Sequence, residues 1–274
     1  MIKLNINKNL LIKTSTKEDK TKSTKEDKTK LTKGKLCSIN GNNYEKEIYN
    51  IIINYNINGQ KFNTQDIKEL GGSKIVNDIQ CNYIKEKNIG IEIKKFNSPD
   101  WVQCSIIYNY DKIQWETSKK SKLPIECQDI FNIFINKIKL FDNDIPPFMK
   151  KKITHEEWIN IKKNTKKWND VYINIPNDII KKLYYSKKCQ YIQISNGYGL
   201  FHLGNDICNF NVPEFIIDQQ IRIRTKIHNK KNAQGFCNIS VTIACQPKNI
   251  KLLKKSPYTL DNKDKLPKNL ILQH

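Results

Sequence analysis

The chain has 274 residues, with 48 Lys and Arg against 27 Asp and Glu, for a formal net charge of +21. That length suffices for a domain with a sizeable core plus a smaller one. The charge excess concerns partners, not fold, and points to nucleic acid or an anionic membrane. No run of about 18 apolar residues is present, which argues against a bilayer span. The first residues, MIKLNINKNLLIK, lack a long apolar segment and a small-residue cleavage site, so they make a poor signal peptide. The expectation is an intracellular protein (cytoplasm, nucleus or viral factory), neither secreted nor membrane-bound, with nucleic acid as its leading partner. An AT-rich coding sequence would also raise Lys and Asn without any selection for binding.

Residues 15–22 and 23–30 repeat the octapeptide STKEDKTK. Residues 1–36 carry 11 Lys and 4 acids, a surplus of +7, and too little apolar surface to offset chain entropy. They read as a disordered basic tail that either adds affinity for a polyanion or only aids solubility. Order is expected from about Gly41, where Tyr44, Ile48, Ile51, Ile52 and Tyr55 share a helical face that ends near Asn58-Gly59. Phe62 to Leu70 reads as a short strand or turn, followed by Gly71-Gly72-Ser73. Residues 74–96, KIVNDIQCNYIKEKNIGIEIKKF, read as a hairpin turning at Lys85 to Asn88. Trp101 to Trp115 fits strand or helix. Glu126 to Phe141 is amphipathic, with Ile130, Phe131, Phe134, Ile138 and Phe141 on one side, and Pro146-Pro147 is a candidate boundary. Thr154-His155-Glu156-Glu157 has the form of a capping box. Residues 191–203 suggest a hairpin turning at Asn196-Gly197, and Ile221 to His228 and Phe236 to Cys245 read as strands. The fold class expected is α/β or α+β, with a central mixed sheet flanked by helices.

None of the eight cysteines forms a Cys-x-x-Cys pair, and the closest two are eight apart. That spacing is wrong for a zinc finger or ribbon, so they read as reduced, mostly buried thiols. His155 and His202 are isolated and read as cap-region and strand-surface residues.

The chemistry concentrates on the hairpin. Asp78 falls on one strand, and Glu92 and Lys94 lie two apart on the next, so both point to one face while Ile91 and Ile93 point to the other. Two converging carboxylates suit Mg²⁺, which takes oxygen ligands and is held by one or two carboxylates plus water and phosphate. A lysine beside them can orient a nucleophile or stabilise a developing anion. An acid followed by acid-x-Lys also arises by chance in a charged chain, and a decorated hairpin is the alternative.

Residues 41–48 (GNNYEKEI), 72–79 (GSKIVNDI) and 89–94 (IGIEIK) together resemble the nuclease core of the PD-(D/E)xK superfamily, the restriction-endonuclease-like proteins, and most closely its archaeal-type Holliday junction resolvases. The resemblance covers about a quarter of the chain. It implies Glu45 as the helix acid near a metal, with Glu47 as its competitor, and Asp78 and Glu92 as metal ligands. It implies Lys94 as the catalytic lysine and Ser73 as a contact to the substrate backbone. Asn77 stands where the family has Pro. Gln103 and Tyr108 follow Glu-x-Lys at nearly the spacing of a Gln and Tyr in DNA-repair relatives, one residue longer. The implied activity is a Mg²⁺-dependent DNA endonuclease, Mn²⁺ substituting, that hydrolyses phosphodiesters with a metal-activated water. A junction-type resolvase, a catalytically silent nucleic-acid-binding module and an RNA substrate stay open, as does a homodimer. The core would occupy residues 37–142, and residues 143–274 would form an α+β region for substrate choice or assembly.

Arg222 and Arg224 are the only arginines, and with Lys226 and His228 they alternate with Ile221, Ile223 and Ile227. On a strand that places four basic side chains on one face. Arginine's planar fork suits phosphate or guanine edges. The alternatives are a nucleic-acid contact, a solvated strand face, and pairing with Glu214 or Asp218.

Overall fold

The alternation of apolar and polar side chains along the strands sorts the chain into two stacked sheets with helices around and between them. The computed structural model describes residues 12–14, 33–63, 78–84, 87–229 and 235–273. In chain order the elements are β1 (Ile12–Thr14), α1 (Lys33–Ile52), β2 (Tyr55–Ile57), β3 (Gln60–Asn63), β4 (Ile79–Ile84), β5 (Lys87–Lys94), β6 (Val102–Asn109), β7 (Gln114–Thr117), α2 (Ile125–Ile135), α3 (His155–Asn164), β8 (Val171–Ile175), α4 (Ile179–Ser186), β9 (Tyr191–Ile194), β10 (Gly199–His202), β11 (Gln219–Asn229), β12 (Asn238–Pro247) and β13 (Leu270–Leu272). One sheet has seven strands in the order β10-β9-β5-β4-β3-β2-β13, and the other has six in the order β1-β8-β11-β12-β6-β7. β5 and β9 run parallel, whereas the other strand-to-strand ladders among the described residues are antiparallel. The fold is mixed α+β, as the sequence suggests, although it holds two sheets where one is expected.

Tyr44, Ile48 and Ile52, spaced four apart on α1, bury against Ile91 and Ile93 of β5 on one face of the seven-stranded sheet. The other face, through Ile192 and Ile194 of β9, shares a core with Ile180 and Leu183 of α4, Ile130 and Phe134 of α2, and Ile221, Ile223 and Ile243 of the six-stranded sheet. α2 and α4 therefore sit in an apolar layer between the sheets. Strands from both sides of residue 142 share each sheet: β9, β10 and β13 complete the one that contains β4 and β5, while β6 and β7 complete the one that contains β11 and β12.

Several elements differ from the sequence reading. β1 and the start of α1 lie inside the segment expected as a tail, with β1 paired to β8. The octapeptide repeats and Gly71-Gly72-Ser73 fall outside the described residues. Asn58-Gly59 is a hairpin turn, not a helix stop. Both residues have positive φ, 49° and 76°, the geometry that joins two strands through Asn-Gly, so α1 ends at Ile52 and β2 and β3 follow. β5 begins at Lys87, earlier than the expected turn at Lys85 to Asn88 allows. α2 ends at Ile135, short of Phe141; further on, the backbone is left-handed at Phe141, Asp142 and Asn143, and the Phe141 ring stands edge-on to Trp115 and Trp168. The capping box forms as read: the Glu157 N–H donates to Thr154 Oγ1 at 3.2 Å, and the Thr154 N–H donates to Glu157 Oε2 at 2.7 Å. The turn at Asn196-Gly197 also forms, with φ of 65° and 72°.

Gln193 of β9 is fully buried, and its amide ties three segments together. Nε2 donates to Tyr44 Oη of α1 at 3.1 Å and to Thr259 Oγ1 at 2.8 Å, while Oε1 accepts the Leu260 N–H at 3.0 Å. Gln193→Leu leaves the Leu260 N–H buried without its acceptor, so it is expected to destabilise the protein by about 2 kcal/mol in urea denaturation.

Candidate active site on the β4–β5 hairpin

The hairpin register builds the site. Ile79 pairs with Ile91, so Asp78, one residue before β4, stands opposite Glu92. Asp78 Oδ2 accepts the Ile93 N–H at 2.8 Å, which locks the carboxylate to β5. With Ile91 and Ile93 packed toward α1, Glu92 and Lys94 point to the opposite face, toward α4. Lys94 Nζ lies 2.5 Å from Glu92 Oε1. A second ammonium closes the carboxylate from the other side: Lys187, just past the end of α4, donates to Glu92 Oε2 at 2.7 Å. Cys189 Sγ lies 3.6 Å from the same oxygen. Both ammonium groups flank the ring of Tyr184, at 5.9 Å for Lys94 and 5.4 Å for Lys187.

Glu92 is 1% exposed. Burial pushes its carboxyl pKa up, but the charges and hydrogen bonds of Lys187 and Lys94 outweigh that and hold it low. Asp78 shifts the other way. Burial and the neighbouring Glu92 charge raise it, against the pull of Lys94, Lys187 and the Ile93 N–H. The two lysines stay charged, since the carboxylates offset the burial that would lower their pKa values. Burial first, and then the Glu92 charge, pushes the Tyr184 hydroxyl and the Cys189 thiol well up, so both are neutral.

Asp78 and Glu92 offer oxygen donors of the kind that a small divalent cation takes. Asp78 and Glu92 are close enough to repel each other, and a cation between them would relieve that repulsion. Each Glu92 oxygen already accepts from one lysine, so a metal would share those oxygens with the ammonium groups or displace one of them. Among the described residues no three Asp, Glu, His or Cys side chains gather into a group that could hold a metal. Glu45 lies half-buried on α1, which packs on the face of β5 away from Glu92, and Glu47 is exposed. The structure thus brings Asp78, Glu92 and Lys94 together and leaves Glu45 outside that cluster. Ser73 is not among the described residues.

Gln103 lies on the other sheet. It pairs with Ala244, which pairs with Arg222, so the three share the outer face of the six-stranded sheet. Tyr108 points inward and packs edge-on to Trp115. Arg222 and Arg224 pair with Asp100 and Asp170, not with Glu214 or Asp218: Arg222 donates to Asp170 Oδ2 at 2.9 and 2.6 Å, and Arg224 donates to Asp100 Oδ2. Glu214 pairs with Lys181 instead. Lys226 shares the arginines' face, where burial and then the Arg224 charge lower its pKa.

Lys187 and Tyr184 escape a sequence reading. They stand more than 90 residues from Glu92 in a lysine-rich chain, and no local pattern distinguishes them. The seven cysteines with described side chains are free, and all but Cys237 are buried. No helix among the described residues is long and apolar enough to cross a membrane.

No family model matches the chain, and no curated protein matches it. Among solved structures, HhaI endonuclease in complex with DNA is similar over 69% of this chain and 84% of that chain, at 15% identity and a TM-score of 0.31.

Removing one ammonium from the buried carboxylate leaves its charge under-compensated. Lys187→Met is expected to cost about 2 kcal/mol in urea denaturation, because Lys94 still pairs with Glu92. An unchanged denaturation midpoint would mean that Lys94 alone satisfies the carboxylate.

Proposed function

We propose that the protein is a metal-dependent DNA endonuclease of the PD-(D/E)xK type, with its reactive centre at Asp78, Glu92 and Lys94. One observation carries this reading: the hairpin register sets the Asp78 carboxylate against Glu92, with Lys94 on the same carboxylate and on the same face. Purely structural ion pairs need no second acid placed where it repels the first.

Asp78 and Glu92 would hold Mg²⁺, or Mn²⁺ in its place. When bound, the ion would act as a Lewis acid that lowers the pKa of a water and neutralises charge on the phosphate. Lys94 ends β5 and keeps 17% of its side chain exposed, against 7% for Lys187. Lys94 is therefore the ammonium able to turn toward a scissile phosphate or an attacking water, and its charge would offset the developing anion there. Lys187 stays behind and keeps Glu92 ionised and aimed. The net charge of +21 supports a polyanionic substrate. Glu45 would complete the site only if α1 or substrate brought it to the hairpin. A catalytically silent nucleic-acid-binding module is the second reading, favoured by the occupation of both Glu92 oxygens by lysines.

Asp78→Asn, Glu92→Gln and Lys94→Met are each expected to slow Mg²⁺-dependent plasmid cleavage by at least about a hundredfold, with DNA binding in Ca²⁺ retained. Undiminished cleavage in all three variants would overturn the assignment, and no cleavage by the unmodified protein in Mg²⁺ or Mn²⁺ would favour the silent module. In the same assay, Glu45→Gln should slow cleavage more than Glu47→Gln if the helix acid takes part.

A further inference from the structure

A second basic site lies apart from the hairpin. A cleft of about 760 Å³ opens on the outer face of the six-stranded sheet, and none of Asp78, Glu92, Lys94 or Lys187 lines it. Arg222 and Arg224 of β11 line it with Tyr172 of β8. Lys162 of α3, Lys166 just beyond α3, and Lys248 and Lys251 beyond β12 also line it. These cations come from separate stretches of chain, so only the tertiary structure assembles them.

Two carboxylates hold the arginines in place. Asp100, whose side chain is 4% exposed, pairs with both guanidinium groups, and Asp170 takes a double contact from Arg222. Six cations against two acids leave an excess of positive charge. Arg224 Nε is buried and has no hydrogen-bond partner. The Lys162 ammonium has its pKa lowered by burial first, Asp170 pulls it back up, and the charges of Arg222 and Arg224 lower it further. An orphaned buried donor beside crowded cations is the arrangement that an anionic ligand completes.

We propose that this cleft grips the phosphates of a single strand of nucleic acid, away from the reactive carboxylates. Its volume matches pockets that enclose a compact ligand, which suits a short stretch of one strand. A duplex keeps its bases paired and stacked inside, so it could offer the cleft only its backbone phosphates. Cations from several sides suit successive phosphates, and the half-buried ring of Tyr172 among the lining residues suits base stacking, whereas the Phe96 ring already stacks on Tyr198. Phe96 lies two residues past Lys94, so one loop joins the cleft to the hairpin. A strand held here would be the unpaired flank or end of the substrate of the proposed nuclease. The identity of the polyanion rests on that reading, but the gripping itself needs neither metal nor cleavage.

The test is fluorescence anisotropy with a labelled single-stranded deoxyoligonucleotide and its duplex, using the full chain in EDTA. Loss of cleavage and loss of gripping are then read separately. Lys166→Glu, Lys248→Glu and Lys251→Glu combined alter three exposed lysines of the cleft. Lys119→Glu, Lys120→Glu and Lys137→Glu make the same charge change at exposed positions outside it. The cleft variant should bind the single strand at least about tenfold more weakly and lower the salt slope by about 2, at roughly 0.7 per phosphate contact, while the control changes much less. Equal losses in the two variants would reduce the effect to bulk charge and overturn the proposal. So would a lack of single-strand binding by the unmodified protein, or a cleft effect confined to duplex. Displacement of the oligonucleotide by an equimolar nucleoside diphosphate would reassign the cleft to a small ligand.

Discussion

A carboxylate buried to 1% exposure survives as an anion only if cations reach it, and the cluster around Glu92 is organised by that demand. Lys94 comes from the same strand and the same face. Lys187 comes from the end of α4, so α4 has to finish against β5. The chain then enters β9 within a few residues, beside β5 and parallel to it. From β9, Gln193 reaches through to Tyr44 of α1 and to the Thr259–Leu260 segment. Helix, parallel strand and C-terminal segment therefore meet around one ion-paired strand.

The same alternation that exposes Glu92 to α4 divides the molecule electrostatically. In β5 the isoleucines face α1 and the charged residues face α4. In β11 the isoleucines face the inter-sheet core and the arginines face outward. Charge appears in two kinds of setting as a result. Around Glu92 it is paired and closed in by α4. On the outer sheet the acids are outnumbered, and cations crowd one another in an open cleft. Paired charge suits holding groups in a fixed geometry, whereas excess charge suits a polyanion.

Under the proposed function, these two settings would divide the labour of handling nucleic acid. A hairpin with two acids and a lysine can present a reacting centre, and an outer cleft can hold the strand on which it acts. Their connection is short, since β5 ends at Lys94 and the cleft begins at Phe96. A nucleic-acid strand seated in the cleft would therefore be tethered close to the loop that leaves β5.

The chain alone determined much of this. Local rules were sufficient wherever neighbours in sequence interact: two-residue periodicity put Glu92 and Lys94 on one face, the pattern of Thr154 and Glu157 made the capping box, and Asn196-Gly197 made its turn. Local rules also misled where one signal serves two structures, as at Asn58-Gly59, which closes a hairpin although it reads equally as a helix stop. Only the tertiary structure decided which distant groups meet. Lys187 completes the Glu92 pair, Asp100 and Asp170 take the arginines that Glu214 and Asp218 had been candidates to take, and Gln103 moves to the outer sheet. The physical reason is that ion pairs and buried hydrogen bonds depend on distance in space, and in a chain with this many lysines and asparagines no pattern in sequence marks the one that arrives.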